Sequence, residues 1–230
     1  MTDRISKSNF GTFSICQRKY YYDLLGFESK ATPEMKYGIE FHEILEKYNN
    51  KVIKDGLSAE IKVPDDYKQS FATFIKFLDR IEQDGYERVP FAVEFPVKNG
   101  HLFGYIDAIF KKNDHYLIVD YKTVPELKDF YADKYTTELA IYKYAFGKML
   151  NIPFDRINVA IMRFEQHSDK GDFNYIEINE VVMKEIINKT VEMYVHIQNS
   201  NGQIKDFPQV SPTKQHWACR YCNYAKEICK

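Results

Sequence analysis

Two aspartates and a lysine interrupt a stretch of the chain whose other residues are mostly apolar. The runs 104–110 and 116–121 are separated by a short polar turn, which predicts two antiparallel strands. Asp107 lies inside the first run, and Asp120 and Lys122 share one face of the second, because side chains on a strand alternate between faces. A carboxylate in an apolar run is costly unless it is paired or binds a metal. The stretch therefore predicts a charged site on a buried hairpin.

These residue types suit the chemistry of phosphate esters. Two neighbouring carboxylates repel each other, and a hard divalent cation relieves that repulsion by binding their oxygens. Bound Mg²⁺ or Mn²⁺ can polarise a phosphoryl oxygen and lower the pKa of a bound water. The Lys122 ammonium could orient that water or stabilise charge on the phosphate. The alternative is a structural ion pair between Asp120 and Lys122, with Asp107 at a strand end, and the hairpin alone does not decide.

Three further candidates stand on neighbouring elements. His42 lies near the apolar stripe of a helix predicted at 37–48, where it is either a core residue or a metal ligand. Glu94 faces away from the apolar residues of a strand predicted at 91–97, so it points into the same cleft or to solvent. Tyr142 shares a helix face with Glu138, four residues earlier, and could serve packing alone.

All four cysteines lie near the two ends of the chain. Cys16 is close to the start, and Cys219, Cys222 and Cys229 fall within the last twelve residues. An intracellular chain disfavours disulfides, and four thiolates fit either tetrahedral zinc or a [4Fe–4S] cluster. Spacing alone favours zinc, with unrelated buried cysteines as the alternative. Such a site would join the chain ends across a loop of roughly 200 residues, which stabilises a fold by several kcal/mol on the chain-entropy model.

Hydrophobic periodicity predicts an α/β domain with a central mixed β-sheet flanked by helices. The predicted helices span 6–26, 37–48, 65–83, 132–150 and 180–197, and the predicted strands span 91–97, 102–110, 116–121, 155–164 and 173–178.

Composition narrows the classes of function. The 230 residues are 44% hydrophobic, enough for one sizeable domain. The formal net charge of −1 excludes a broad basic surface for nucleic acid but leaves room for a local patch. The first residues, Met1 to Ser6, lack the pattern of a signal peptide, and no apolar run is long enough to span a bilayer. We therefore expect a soluble cytoplasmic protein without membrane contact.

The motifs occur together in an order that resembles the RecB-type branch of the PD-(D/E)XK nucleases. They are Ser6-x-Ser8-x-Phe10 with Cys16 and Arg18-Lys19-Tyr20-Tyr21, Gly38-x-x-x-His42, Gly104-x-x-Asp107, Val119-Asp120-Tyr121-Lys122-Thr123, Glu138-x-x-x-Tyr142 and the closing cysteine triplet. This ordered set spans Ser6 to Cys229 and is far more specific than any single motif. It is similar to the iron–sulfur members of that branch, which include CRISPR adaptation exonucleases and the nuclease domain of AddB-type helicase–nucleases.

The resemblance implies a single nuclease domain, 1–230, with a restriction-endonuclease-like core. Segment 27–90 would be helical and carry His42 and an insertion, 91–178 would form the core sheet and helix, and 205–230 with Cys16 would form an iron–sulfur staple.

The resemblance also implies a role for each candidate residue. His42, Asp107, Asp120 and the Tyr121 carbonyl would bind Mg²⁺ or Mn²⁺, and Lys122 would be the catalytic lysine. Tyr142 matches the tyrosine of the family's Gln-x-x-x-Tyr motif, although a glutamate, Glu138, stands where glutamine is usual. The cysteines Cys16, Cys219, Cys222 and Cys229 would hold a [4Fe–4S] cluster, which replaces the expectation of zinc.

The function implied is a metal-dependent DNA exonuclease acting at single-stranded ends, in recombination and repair, CRISPR adaptation or phage DNA processing. Its setting would be a bacterial, archaeal or phage-infected cell, with DNA and a helicase or CRISPR-integrase-type protein as partners. A path for single-stranded DNA is expected along Arg18, Lys19, Tyr20, Tyr21 and Arg220, through stacking and phosphate contacts.

Two other functions remain open from the sequence. The first is a DNA-end-binding or scaffold subunit with a structural cluster and a vestigial nuclease site, although Asp107, Asp120 and Lys122 are all present. The second is a zinc-stapled protein-interaction domain.

Overall fold

A five-stranded mixed sheet forms the centre of the molecule in the computed structural model, which describes residues 4–27, 31–125, 129–210, 217–220, Cys222, Tyr224 and Cys229. Its strands are β1 (Ala92–Asn99), β2 (Leu102–Lys112), β3 (His115–Thr123), β4 (Ile157–Phe164) and β5 (Gly171–Tyr175). Spatial order follows chain order. The pairs β1–β2, β2–β3 and β4–β5 are antiparallel, whereas β3–β4 is parallel. A parallel pair needs a long crossover, and a helix between β3 and β4 provides it.

Helices cover both faces of this sheet. They are α1 (Lys7–Ile15), α2 (Gln17–Leu24), α3 (Pro33–Asp55), α4 (Lys68–Gln83), α5 (Asp129–Leu150), α6 (Glu180–Asn199) and the short α7 (Trp217–Arg220). Three-residue 3₁₀ turns occur at Asp65–Tyr67, Phe154–Arg156 and Ile204–Asp206. Buried side chains of α1, α5 and α6 pack against one sheet face, and those of α3 and α4 pack against the other. The predicted α/β architecture with a helix-flanked mixed sheet is confirmed.

Strand β3 shows why the sheet has two apolar faces. Ile118 joins the core under α5 and α6, whereas Leu117, Val119 and Tyr121 join the core under α3 and α4. This is the alternation expected for a strand covered on both sides. The β2–β3 turn contains Asn113 at φ 54°, a left-handed conformation that asparagine tolerates better than most residues.

The helix predicted at 6–26 is two helices. Ser6 is the N-cap as expected, its side chain accepting from the Asn9 N–H. The chain then becomes extended at Cys16, with φ −157° and ψ 108°, and this residue ends α1 and begins α2. The segment has no proline or glycine at the break, so periodicity could not reveal it.

The helix predicted at 37–48 is longer at both ends. Thr32 caps α3 through a bond from the Met35 N–H, and Pro33 occupies its first turn. Gly56, at φ 82°, stops it.

None of the helices in the described ranges combines the length and apolar character needed to cross a bilayer. The division into 27–90, 91–178 and 205–230 remains a prediction, and parts of the last segment, including residues 211–216, lie outside the described residues.

Candidate active site

Three carboxylates lie in one row across the first three strands. The β2–β3 ladder ends at the pair Ala108 and Val119, and the same register sets Asp107 opposite Asp120. Between β1 and β2, the pairs on either side set Glu94 opposite Asp107. The register therefore places three acidic residues at the same level of three neighbouring strands.

The strands separate at this row, and the Asp107 side chain bridges the gap. Its Oδ2 accepts a 2.6 Å hydrogen bond from the Tyr121 N–H. Asp107 is 8% exposed and Asp120 is 1% exposed. Tyr121 is also held from behind, where the Asn49 amide donates to its hydroxyl at 3.1 Å. These two bonds fix the position of Tyr121, the residue that follows Asp120.

Each carboxylate oxygen of Asp120 contacts the ammonium group of a lysine. The Lys122 Nζ lies 2.5 Å from Asp120 Oδ2, and the Lys7 Nζ contacts Oδ1. Burial alone would raise the pKa of Asp120, but the two ammonium groups outweigh it and hold the pKa well below its usual range. Asp120 is therefore a buried but ionised carboxylate.

Lys122 is held by a second carboxylate from helix α5. Its Nζ donates to Glu138 Oε2 at 2.9 Å, and the Lys134 Nζ lies 3.8 Å from the other oxygen of Glu138. Burial opposes the charge of Lys122, yet Asp120 and Glu138 outweigh it and raise the pKa of Lys122 above its usual value. The amine thus stays protonated at neutral pH. The glutamate at position 138 supplies a charged partner, which the neutral glutamine of the resembled motif would not.

His42 reaches the site from helix α3. Its Nδ1 lies 3.9 Å from Asp107 Oδ2, and its ring meets the Tyr121 ring edge-on with centroids 5.8 Å apart. Gly38, one turn earlier, makes this approach possible, because a Cβ there would lie 2.6 Å from Thr123 Oγ1.

Glu94 is in a strained backbone conformation beside the aspartates. Its φ of 46° lies in the left-handed region, which is uncommon for a residue other than glycine inside a strand. Burial, followed by the charges of Asp107 and Glu46, raises its pKa to about 7. Strain of this kind persists only where the surroundings impose it. The structure thus assigns Glu94 to the cleft, a choice that the sequence left open.

Tyr142 packs beside the row from helix α5. It is buried, and the Lys7 ammonium lies 4.7 Å from the centroid of its ring. A Cβ at position 104 would come within 2.9 Å of Tyr142 Cε1, which explains the glycine there.

An open cleft of about 740 Å³ lies next to these side chains, and part of the site lines it. Its lining includes His42, Glu94, Tyr121, Lys122 and Tyr135. Carboxylate oxygens and an imidazole nitrogen are suitable donors for Mg²⁺ or Mn²⁺. Within the described ranges, no three His, Cys, Asp or Glu side chains converge at ligating distance. The donor chemistry fits a hard divalent cation.

The four cysteines border a second cavity, of about 280 Å³, between α1, α2 and α7. All four are among the described residues, and they form no disulfide. Lys134 and Glu138 also line this cavity, so helix α5 borders both it and the cleft. The structure brings the cysteines to one place but, among the described residues, shows no group ready to hold a metal.

The predicted DNA path is only partly exposed. Tyr20 is 2% exposed, and its hydroxyl is buried, so the expectation that it stacks on DNA is wrong. Arg18 donates from Nε to the Phe207 carbonyl at 2.7 Å, and Tyr21 stacks on the Phe207 ring. These residues mainly attach α2 to the segment after α6, because an aromatic stripe on a short helix packs inward.

The remaining two residues of that path are accessible. Lys19 pairs with Asp23 at 3.1 Å and borders the cysteine cavity. Arg220 is exposed at the end of α7. A nucleic-acid contact at these two positions stays a prediction.

Sequence reasoning missed Lys7 and the row of carboxylates. The sequence contains enough information to predict the row. A two-residue turn at 113–114 pairs Lys112 with His115, and the same register sets Asp107 opposite Asp120. No such pattern points to Lys7, since its partner Asp120 is 113 residues away.

Comparison with known proteins agrees with this fold. A sequence model described as the PD-(D/E)XK nuclease superfamily matches residues 4–230. A crystal structure of a protein from Eubacterium rectale named "Putative exonuclease" superposes with a TM-score of 0.61 at 12% identity, covering 95% of this chain and 87% of that one. A crystal structure of SSO0001 gives a TM-score of 0.46 at 15% identity, covering 98% and 85%. A search of curated proteins finds no match.

Proposed function

Because the chain belongs to the PD-(D/E)XK nuclease superfamily, we propose that it is a metal-dependent exonuclease that hydrolyses phosphodiester bonds at DNA ends, single-stranded ends in particular. One observation carries the proposal: Asp107, Asp120 and Lys122 meet beside an open cleft, with His42 placed over Asp107. The name of the Eubacterium rectale protein supports exonuclease action in particular.

Asp107, Asp120 and His42 would hold Mg²⁺ or Mn²⁺, with the Tyr121 carbonyl as a further ligand. When bound, such an ion polarises a phosphoryl oxygen and lowers the pKa of a bound water. Asp107 is prepared for this role because the Tyr121 N–H already fixes one of its oxygens.

Lys122 acts as a cation rather than as a base. Two carboxylates hold its ammonium in place and raise its pKa, so it keeps its proton at neutral pH. A fixed positive charge beside the scissile phosphate stabilises the negative charge that develops in the transition state. Glu138 positions that charge, and Tyr142 packs beside it.

The shape of the cleft favours a flexible strand. It is open and carries exposed apolar side chains, Met35 and Ile39, at its α3 border. Bases of a single strand can pack on such groups, whereas paired bases cannot. A net charge of −1 gives no broad surface for duplex DNA.

We extend the proposal to a [4Fe–4S] cluster held by Cys16, Cys219, Cys222 and Cys229. Support comes from the cavity that all four border and from the requirement of such clusters for four thiolates. The cluster would fix the C-terminal segment against α1 and α2. A cytoplasmic setting in recombination, CRISPR adaptation or phage DNA processing, with a helicase or integrase-type partner, belongs to the same proposal.

Digestion of matched linear and circular DNA tests the proposed activity. With Mn²⁺ present, end-labelled linear single strands should be shortened progressively, while closed circular single strands should survive. A chelator should stop the reaction. Cleavage of circles at the same rate would replace the exonuclease with an endonuclease, and no cleavage of any DNA would contradict the proposal.

One observation favours a second candidate, a DNA-end-binding subunit with a vestigial site. The Lys7 ammonium rests on Asp120, where a metal would compete with it. Tight binding of DNA ends without hydrolysis, at saturating Mn²⁺, would support this candidate.

A further inference from the structure

Lys7 contacts the carboxylate row at Asp120. Its ammonium contacts Asp120 and faces the ring of Tyr142. Burial opposes its charge, but Asp120, Asp107 and Glu138 together raise the pKa of Lys7 well above its ordinary value. The same charge acts on Glu94, whose pKa it lowers against the other influences. The ammonium of Lys7 therefore contacts one carboxylate of the row directly, and its charge acts on the others.

The position of Lys7 in helix α1 is unfavourable by local rules. It is the first residue of the helix, where the macrodipole repels cations, and the first turn contains no acidic residue. The compensating charge comes from Asp120, 113 residues further along the chain. A residue that is unfavourable in its own helix but stabilised by a distant charged group is a candidate for a role at that group's site.

We propose that Lys7 is an internal cation that neutralises Asp120 in the metal-free protein and is displaced when a divalent ion binds, so that it sets the metal affinity of the site. The inference rests on the proposed function, because it takes the metal site as given.

The contacts indicate which lysine gives way. Both oxygens of Asp120 are taken, by Lys7 on Oδ1 and Lys122 on Oδ2. Lys122 has a second carboxylate, Glu138, at 2.9 Å. Among the described contacts, the other close partner of Lys7 is Tyr142, through its ring and a hydrogen bond with its side chain. An uncharged tyrosine holds an ammonium less strongly than a carboxylate does. A divalent ion near Asp120 would repel both amines. Lys7 would move away more easily, because Lys122 keeps its ion pair with Glu138.

Calorimetric titration with Mn²⁺ tests the competition. Lys7→Met removes the charge and keeps the length of the side chain, so it should bind Mn²⁺ about tenfold more tightly than the wild type, as expected for a unit charge a few ångströms away in a partly buried site. Lys7→Arg keeps the charge and should bind like the wild type. Lys51→Met, which removes a lysine from an exposed pair with Asp55 on α3, is the matched control and should also leave the affinity unchanged.

Asp120→Asn separates this inference from the proposed function. If the wild type binds Mn²⁺ and Asp120→Asn does not, the metal site stands, and unchanged or weaker binding by Lys7→Met overturns the inference alone. If neither the wild type nor Lys7→Met binds Mn²⁺, both proposals fail.

Amine labelling tests the same displacement in the wild-type protein. Lys7 should react slowly with an acylating reagent in chelator and several-fold faster at saturating Mg²⁺, while Lys51 reacts equally in both. Peptide mass spectrometry reads each lysine separately. Equal labelling of Lys7 with and without Mg²⁺ would overturn the inference even if Lys7→Met did not fold.

Discussion

Asp120 is nearly inaccessible to solvent and yet ionised, because each of its oxygens contacts an ammonium group. A buried charge is tolerated only when paired, and removing one partner costs more than the pair contributes. The charge state of the whole site therefore depends on Lys7, Lys122 and Glu138 acting together. Substitutions at these positions should not be additive.

Glu94 should make the metal-free protein less stable as pH rises. Burial and the charges of Asp107 and Glu46 raise its pKa from 4.5 to about 7, so the folded state holds this proton more tightly than the unfolded state does. Its stabilising contribution is present below the unfolded pKa and is lost as pH rises through the interval up to about 7. Glu94→Gln lacks this loss and should gain in relative stability between pH 5 and pH 8.

Urea unfolding of wild type and Glu94→Gln in chelator, at pH 5 and pH 8, measures the difference. Glu60→Gln, at an exposed position, serves as the control. Parallel shifts of the wild-type and Glu94→Gln midpoints would show that Glu94 does not titrate as described.

At this scale, periodicity predicted part of the site. Alternation placed Asp120 and Lys122 on one face, and the structure agrees. Glu94 could not be assigned, because its orientation depends on a strained φ that no pattern reveals. Tyr20 was misjudged because buried and base-stacking tyrosines look alike in a helix, and the structure buries this one.

Two glycines allow helices to approach the sheet closely enough to deliver side chains to the cleft. Gly38 lets α3 rest against Thr123 at the end of β3, which brings His42 over Asp107. Gly104 leaves room on β2 for the Tyr142 ring from α5. In both places, glycine serves a close contact between elements rather than a turn.

Gly38→Ala should destabilise the fold by about 1–3 kcal/mol, because its Cβ would lie 2.6 Å from Thr123 Oγ1 and overpack the contact. Urea unfolding measures the change. Gly11→Ala is the matched control, since a Cβ there meets nothing within 4 Å, and alanine in a helix should stabilise by about 0.5–1 kcal/mol.

Thr123→Ala should rescue part of the loss, because it removes the oxygen that the new methyl group meets. A double-mutant cycle that shows independent effects at 38 and 123 would contradict this account of the contact.

The elements themselves were mostly predictable, because a two-sided sheet and amphipathic helices carry clear periods. The extended break at Cys16 was not, since it carries neither proline nor glycine. The break is set by tertiary contacts. Helix α1 is held at its first residue by the Lys7–Asp120 ion pair, whereas α2 packs on Phe207 through Tyr21.

The cleft and the cysteine cavity are linked through the same elements. Helix α1 has Lys7 at its first residue and Cys16 at its end. Helix α5 contributes Lys134 to the linings of both spaces and Glu138 to the cysteine cavity and to Lys122. A change at the cysteine cavity should therefore affect the cleft.

Cys222→Ser should remove absorbance near 400 nm and bound iron from the purified protein. It should also lower the unfolding midpoint, because a cluster that joins Cys16 to the C-terminal segment stabilises the chain by several kcal/mol on the loop-closure model. Lys122→Ala is the control, since it should keep the colour. A colourless wild type that contains zinc would contradict the cluster and favour a zinc site.

The central claim is that Lys122 acts at a metal-dependent nuclease centre. It is tested most directly by the rate at which wild type, Lys122→Ala and Lys51→Ala digest end-labelled single-stranded DNA with Mn²⁺. Losing one charge-stabilising group typically costs a hydrolase about 100-fold or more in rate. We expect that loss for Lys122→Ala and a wild-type rate for Lys51→Ala; equal rates for all three proteins would contradict the account.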